Sequence, residues 1–182
     1  QLTKDGSWGG SLELIEEQNI TSSTATVEFT NLANAPYDVY FLTADNVTTD
    51  TDDTYLNLQV SNDNGSSYET SNYDYAHQTA TASGTFSEAR STTAGQFFIS
   101  GNIGTASNEK ANCYVYIYNL LSSSKYSFIT HQGSDILSSA TYRMNFGGGV
   151  YHTAETNNAF RLLMNSGNIT TANFKLYGVK QI

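Results

Sequence analysis

The stretch Ala159–Val179, AFRLLMNSGNITTANFKLYGV, decides the fold that the sequence predicts. Apolar side chains recur at every second position on both sides of its centre: Phe160, Leu162 and Met164, then Ala172, Phe174 and Leu176. This is the period of a strand with one buried face. Residues 165–168, Asn-Ser-Gly-Asn, favour reversal of the chain between the two runs. The pattern predicts a hairpin paired into the main sheet of a sandwich, with Phe174 and Leu176 in its core.

Shorter runs of the same kind are spread over the rest of the chain. They fall at 12–14, 25–29, 37–42, 56–60, 73–76, 97–99, 113–118, 126–130 and 141–146. Aromatic residues reach 13% of the composition, and signals for helices are scarce. Aromatic and β-branched residues suit a pleated, half-buried surface. The sequence therefore predicts an all-β protein, an antiparallel β-sandwich of about ten strands that forms one domain over residues 11–182.

Three segments are predicted to lie outside the strands. Residues 1–10 are polar with three glycines, which indicates an N-terminal arm or linker, and Trp8 is its one candidate anchor. Residues 78–95 are rich in Thr, Ala and Ser, a composition typical of a long surface loop. Gly147-Gly148-Gly149 follows a predicted strand but opens no helix, so it is interpreted as a flexible bend and not as a phosphate-binding loop.

The charge distribution and the cysteine count exclude several classes of protein. The net charge is −9, with 13 acidic residues and one basic residue in 1–87 (−12) against 4 acidic and 7 basic residues in 88–182 (+3). A nucleic-acid-binding protein needs a basic stripe, so no nucleic-acid partner is predicted. No run approaches the roughly 18 apolar residues of a membrane span, and no membrane insertion is predicted. Cys113, the single cysteine, excludes an internal disulfide and is predicted to be a buried thiol.

The candidates for chemistry lack a specific spacing. The three histidines, His77, His131 and His152, do not share a metal-binding motif, and no G-x-S-x-G nucleophile motif is present. Asp50, Asp52 and Asp53 leave three interpretations open: a solvated loop, a site for a hard cation such as Ca²⁺, and, least favoured, a catalytic carboxylate pair. The sequence therefore predicts no catalytic residue, no metal site and no cofactor.

A tyrosine stripe is the most informative candidate surface. Tyr114, Tyr116 and Tyr118 share one face of a predicted strand whose other face is apolar, and Tyr40 lies in a second strand that is apolar on both faces. A half-buried strand is expected to have a polar outer face. Three interpretations stay open: cover by loops of the same domain, a subunit interface, and a platform on which sugars stack.

Several motifs, in order, resemble a family of β-sandwich domains in bacteriophage virion proteins, tail fibres and other structural proteins among them. The resemblance is carried by SLELIEEQNITSSTATVEFTNL, YDVYFL, LNLQVSNDNGSSYETSNYDYAH, VYIYNLLSSSKYSFITHQG, NFGGGV and the closing NAFRLLMNSGNITTANFKLYGVK. Together these motifs extend from about Trp8 to Lys180, nearly the whole chain.

The resemblance implies a fold, a setting and partners. It favours a jelly roll over an immunoglobulin-like arrangement and implies no catalytic residue. It places the chain in the virion as a homo-oligomer, a trimer, in contact with other virion proteins. A tail-fibre domain that recognises a host surface glycan or protein is the first expectation, a head fibre or capsid decoration protein the alternative, and a glycan depolymerase the weakest.

Overall fold

The computed structural model describes residues 10–180, and the chain they form is all β, as predicted. Twelve strands are present where about ten were expected. They are β1 (Leu12–Ile20), β2 (Thr26–Phe29), β3 (Val39–Thr49), β4 (Thr54–Ser61), β5 (Tyr73–Thr81), β6 (Phe86–Ala94), β7 (Phe97–Ile103), β8 (Ala111–Tyr118), β9 (Ser127–Ile136), β10 (Tyr142–Tyr151), β11 (Ala159–Met164) and β12 (Ile169–Val179). A short 3-10 helix, Leu32–Asn34, follows β2.

The strands form a sandwich of two antiparallel sheets of unequal size. The large sheet has the order β1-β12-β3-β8-β9-β10-β5-β6, and the small sheet has the order β2-β11-β4-β7. Eight of these strands follow the interlocked double Greek key of a jelly roll, with β1-β12-β3-β8 facing β2-β11-β4-β7. The jelly-roll expectation is therefore confirmed.

The other four strands, β9, β10, β5 and β6, lengthen the large sheet on one side only. They come from two excursions of the chain, one between β4 and β7 and the other between β8 and β11, and they pair with each other through β10 and β5. We call these four strands the extension. The small sheet has no strands that match the extension. Its edge strand β7 lies against the inner face of β9 and β10, and no strand of the small sheet covers β6.

The closing stretch contains both predicted strands, but the predicted hairpin pairing is wrong. β11 lies in the small sheet between β2 and β4, whereas β12 lies in the large sheet between β1 and β3. The turn at Gly167 (φ +74°) is therefore a corner that passes from one sheet to the other. Alternation fixes which side chains face inward, and it does so equally for a hairpin and for two strands that face each other across a core.

Two segments predicted to lack strands prove to be strands of the extension. Residues 78–95, predicted to be a loop, supply the end of β5 and all of β6. The three glycines predicted to bend are paired within β10, between β9 and β5. A Cβ at Gly147 would lie 2.5 Å from the Cβ of His77, and one at Gly149 would lie 2.8 Å from the Phe97 ring. At all three positions a Cβ would also collide with a backbone carbonyl oxygen of a neighbouring strand, so close approach of the strands, and not flexibility, explains these glycines.

The core lies between the jelly-roll sheets and contains the residues that the closing stretch predicted. Phe174 and Leu176 of β12 are fully buried, and they belong to one apolar cluster with Phe160 and Leu162 of β11. Cys113 is buried in the same cluster, as predicted, and burial raises the pKa of its thiol to about 12. Residues 1–9 of the predicted arm, including Trp8, lie outside the described residues.

We expect Phe174→Ala to lower the free energy of unfolding by about 3–5 kcal/mol, because it removes a large, fully buried ring from the core. Urea unfolding followed by circular dichroism measures the change. The matched control is Phe86→Ala, since Phe86 is 78% exposed and the same truncation there should cost less than about 0.5 kcal/mol. Equal losses in the two variants would contradict the assignment of faces.

Candidate functional site

The outer face of the large sheet carries a layer of aromatic rings where the tyrosine stripe was predicted. Tyr116 lies 4.8 Å from Phe41 and 6.3 Å from Tyr118 between ring centroids. Phe41 also lies 5.9 Å from Tyr114 and 6.2 Å from Tyr177. We call these five residues the outer aromatic face. Tyr114 keeps 39% of its surface exposed, so a partner can reach this face.

Tyr40, the fourth tyrosine of the prediction, does not belong to this surface. It lies on the inner face of β3, fully buried, and its hydroxyl donates a hydrogen bond to the carbonyl oxygen of Ala35 (2.8 Å). Tyr40 was predicted to belong to the candidate surface because residues 37–42 are apolar on both faces of the strand. Phe41, its neighbour in sequence, occupies the outer face instead.

A groove lies on the opposite, inner face of the same sheet, where the extension continues past β7. Its volume is about 480 Å³, within the range of small-molecule sites. β5 and β6 form one wall, and Phe98 of β7 and Tyr55 of β4 belong to the other. β6 is exposed along nearly its whole length, because no strand of the small sheet lies opposite it.

Four aromatic rings line the bottom of the groove, where its two walls meet. The imidazole of His77 stacks on Phe98 with ring centroids 3.9 Å apart and planes 14° from parallel. Tyr75 continues the stack at 5.7 Å from His77, and Tyr55 lies 5.9 Å from Phe98 on another side. His77 and Phe98 are buried, whereas Tyr75 and Tyr55 are half-buried and accessible from the groove.

Two glycines make this assembly possible. A Cβ at Gly101 would overlap the Tyr55 ring and come within 2.8 Å of the Phe98 ring. A Cβ at Gly147 would collide with the Cβ and Cα of His77, so glycine is also needed where β10 passes that residue. The backbone therefore leaves room for these rings only because β7 and β10 carry glycine at those two positions.

Two of the three histidines, which are far apart in the sequence, lie close together beneath the groove. His77 and His131 lie on either side of Gly147, paired through β10, with ring centroids 6.3 Å apart. Burial lowers the pKa of both imidazoles to about 4, so both are neutral at pH 7. His152 lies apart, with its Nε2 3.5 Å from the Asp74 carboxylate.

A buried ion pair closes one end of the groove. Arg143 donates to both oxygens of Asp135, from Nε to Oδ1 (3.0 Å) and from Nη2 to Oδ2 (2.9 Å). Ser100 and Asn145 donate to Oδ2 as well. Burial raises the pKa of Asp135, and the guanidinium opposes that shift. Because its oxygens accept hydrogen bonds from β7 and β10, the carboxylate on β9 joins three strands beside the groove.

The three aspartates proposed as cation ligands point to separate partners. Asp50 accepts hydrogen bonds from the backbone N–H (2.7 Å) and the side chain (2.8 Å) of Asn168, which hold its pKa below the ordinary value. Asp52 accepts from the N–H of Thr105, and Asp53 accepts from the side-chain amide of Asn102. Within residues 10–180, no group of three or more His, Cys, Asp or Glu side chains is placed to hold a metal ion.

Comparison with protein-family models and with curated proteins finds no match to this chain. The fold and the side chains therefore carry the functional argument. No helix in the described part of the chain is both long enough and apolar enough to cross a membrane.

Sequence reasoning found the outer aromatic face but missed the groove. Tyr75 and His77 lie in a strand that was predicted only as far as residue 76, and Phe98 was predicted only as part of the run 97–99. The available signal was the alternation of Tyr73, Tyr75 and His77, which places two rings and an imidazole on one face. Nothing in the sequence indicates that this face continues beyond the small sheet.

We expect the protein to lose stability as the pH falls from about 6.5 towards 4, because the unfolded chain protonates His77 and His131 in this range and the folded protein keeps both imidazoles neutral. His131→Leu should remove part of that loss, up to roughly 3 kcal/mol, since it deletes one of the two buried imidazoles. Urea unfolding at several pH values measures it. The control His152→Leu keeps both buried rings and should keep the loss, and a wild-type slope in His131→Leu would contradict the prediction.

Proposed function

We propose that this chain is a non-enzymatic structural domain of a bacteriophage virion, of the tail-fibre or receptor-binding type. One observation carries the proposal: the large sheet offers two separate contact surfaces, an aromatic layer on its outer face and a groove on its inner face. An attachment domain needs one surface for assembly into the particle and another for its target. The resemblance to phage virion sandwich domains supports the same assignment, and the proposed location is the virion.

The outer aromatic face is the proposed assembly surface, and its proposed partner is a second copy of the chain in a homotrimer. Tyrosine is enriched at protein interfaces because its ring buries a large apolar area while its hydroxyl stays hydrogen-bonded. The rings of Tyr114, Tyr116 and Tyr118 form a continuous layer with Phe41 and Tyr177. Contacts with other virion proteins would use the same kind of surface. The acidic net charge of −9 argues against a nucleic-acid partner.

A head fibre or capsid decoration protein is the second candidate, favoured by the outer aromatic face alone, since such a protein needs an assembly surface but no ligand site. A glycan depolymerase is the weakest candidate. Among the described residues that line the groove, Glu88 is the sole carboxylate. Glycosidases that use an acid and a nucleophile or base need two, about 5 to 9 Å apart.

We expect the protein to be an oligomer at micromolar concentration and to remain one at high salt, because apolar contacts are not screened by ions. Light scattering at low and high salt measures the mass. Replacing both Tyr114 and Tyr116 by serine should reduce the mass towards that of a monomer. The control is Tyr126→Ser, which alters a tyrosine of similar exposure (46%) outside the outer aromatic face. A monomeric wild type at both salt concentrations would refute self-assembly through this face.

We expect the purified protein to release no reducing sugar from bacterial capsule or lipopolysaccharide, because the groove lacks a second carboxylate. A reducing-end assay over several hours checks this, with an unrelated glycosidase as the positive control. Release of sugar that disappears in Glu88→Gln would instead establish a depolymerase.

A further inference from the structure

We propose that the groove between β5, β6 and β7 is a binding site for a neutral glycan, which it holds by stacking sugar rings on Tyr75 and Tyr55. The host cell surface as the source of the glycan rests on the proposed attachment function. The chemistry that would bind a glycan in the groove does not depend on that source.

The facing strand leaves the aromatic rings uncovered. In the pairing of β5 with β6, Tyr75 lies opposite Ser91, His77 opposite Ala89 and Thr79 opposite Ser87. Each aromatic ring of β5 thus has a small neighbour on β6. Small side chains at three alternate positions of one strand leave an open volume next to the rings, and this volume is the groove.

The rings are held rigidly in place before any ligand arrives. His77 and Phe98 are buried in a nearly parallel stack, and Tyr75 and Tyr55 rest against its two members. Glycine at 101 and at 147 lets the backbone approach these rings closely. A platform fixed in advance loses little conformational freedom when a ligand binds.

The rest of the lining suits the hydroxyl groups of a sugar. Hydroxyl and amide side chains surround the rings: Asn57, Thr79, Ser87, Gln96 and Asn165. Hydroxyls both donate and accept hydrogen bonds, and amides offer separate donor and acceptor atoms. A pyranose presents an apolar face of C–H groups and a rim of hydroxyls, so it matches an aromatic floor with a polar border.

The charges around the groove favour a neutral ligand. Arg143 is paired with Asp135, and Glu88 is paired with Arg90 at 2.7 Å. His77 is neutral at pH 7. Every charged side chain in the described lining therefore has a partner of opposite sign, and the groove offers no unpaired cation to an acidic sugar.

The test uses ligand-observed NMR and calorimetry with neutral tetrasaccharides of glucose, galactose, mannose and N-acetylglucosamine, and with a galacturonic acid tetramer as the acidic probe. We expect saturable binding of at least one neutral probe and weaker binding of the acidic one. Tyr75→Ala should lower the affinity at least about tenfold, because it removes a stacking surface. Tyr126→Ala, the same change at an exposed tyrosine outside both the groove and the outer aromatic face, should leave the affinity unchanged.

A second variant fills the groove without removing a ring. Ala89→Phe places a side chain over His77 at an exposed position of β6, and we expect it to abolish binding while the thermal unfolding curve stays close to that of wild type. Gln78→Phe adds the same ring to the opposite face of β5 and should bind as wild type does. Failure of every neutral probe to saturate, preference for the acidic probe, or wild-type affinity in Ala89→Phe would overturn the inference.

The outcome separates the glycan site from the assembly function. Loss of glycan binding in Ala89→Phe with an unchanged oligomer mass assigns the groove independently of the outer aromatic face. An oligomeric protein that binds none of the neutral probes refutes the glycan site and leaves the head-fibre or decoration alternative in place. A monomeric protein that binds a neutral probe refutes assembly through the outer aromatic face but not the groove.

Discussion

The structure depends on one constraint: an eight-stranded sheet faces a four-stranded one. Two sheets of equal width would bury both inner faces in a single core. Here the jelly-roll half of the large sheet is covered, and the extension is covered only as far as the edge strand β7. Inner-face side chains change accordingly across the sheet, from the apolar Leu42 and Ile117 in the covered half to His77 and Thr79 in the extension. The groove exists because the second sheet ends.

The boundary between the covered and uncovered halves is built from polar groups. Arg143 and Asp135 form a buried pair at that boundary, and His131 is buried on β9 opposite Val115 of β8. Buried ions lose their solvation, and here both oxygens of Asp135 regain hydrogen bonds from Arg143, Ser100 and Asn145. Ser100 of β7 donates a hydrogen bond to Asp135, and Asn102 of β7 accepts one from Arg143, so the pair ties β7 to the extension. Stability in this region and the shape of the groove depend on the same contacts.

The sequence was sufficient for the fold class and for the faces of most strands, because alternation records burial directly. Phe174, Leu176 and Cys113 lie where that pattern placed them. The alternation did not predict strands whose inward-facing side chains are polar or small. Residues 78–95 face a groove on one side and solvent on the other, so their Thr, Ser and Ala side chains resembled a loop. The corner at Gly167 was taken for a hairpin because alternation does not specify a partner strand. The outer aromatic face was visible because its rings share one strand, whereas the groove joins β4, β5, β6 and β7.

The positions of β11 and β12 have a consequence for synthesis of the protein. β12 lies between β1 and β3, and β11 lies between β2 and β4, so each sheet contains a gap until the last two strands have left the ribosome. During that interval four strand edges have unpaired backbone groups, and such edges readily pair with other chains. Neighbouring copies synthesised on one messenger RNA are the nearest such chains. A chaperone that shields β1 to β4 until β11 and β12 have emerged would therefore act on the most vulnerable state of these sheets.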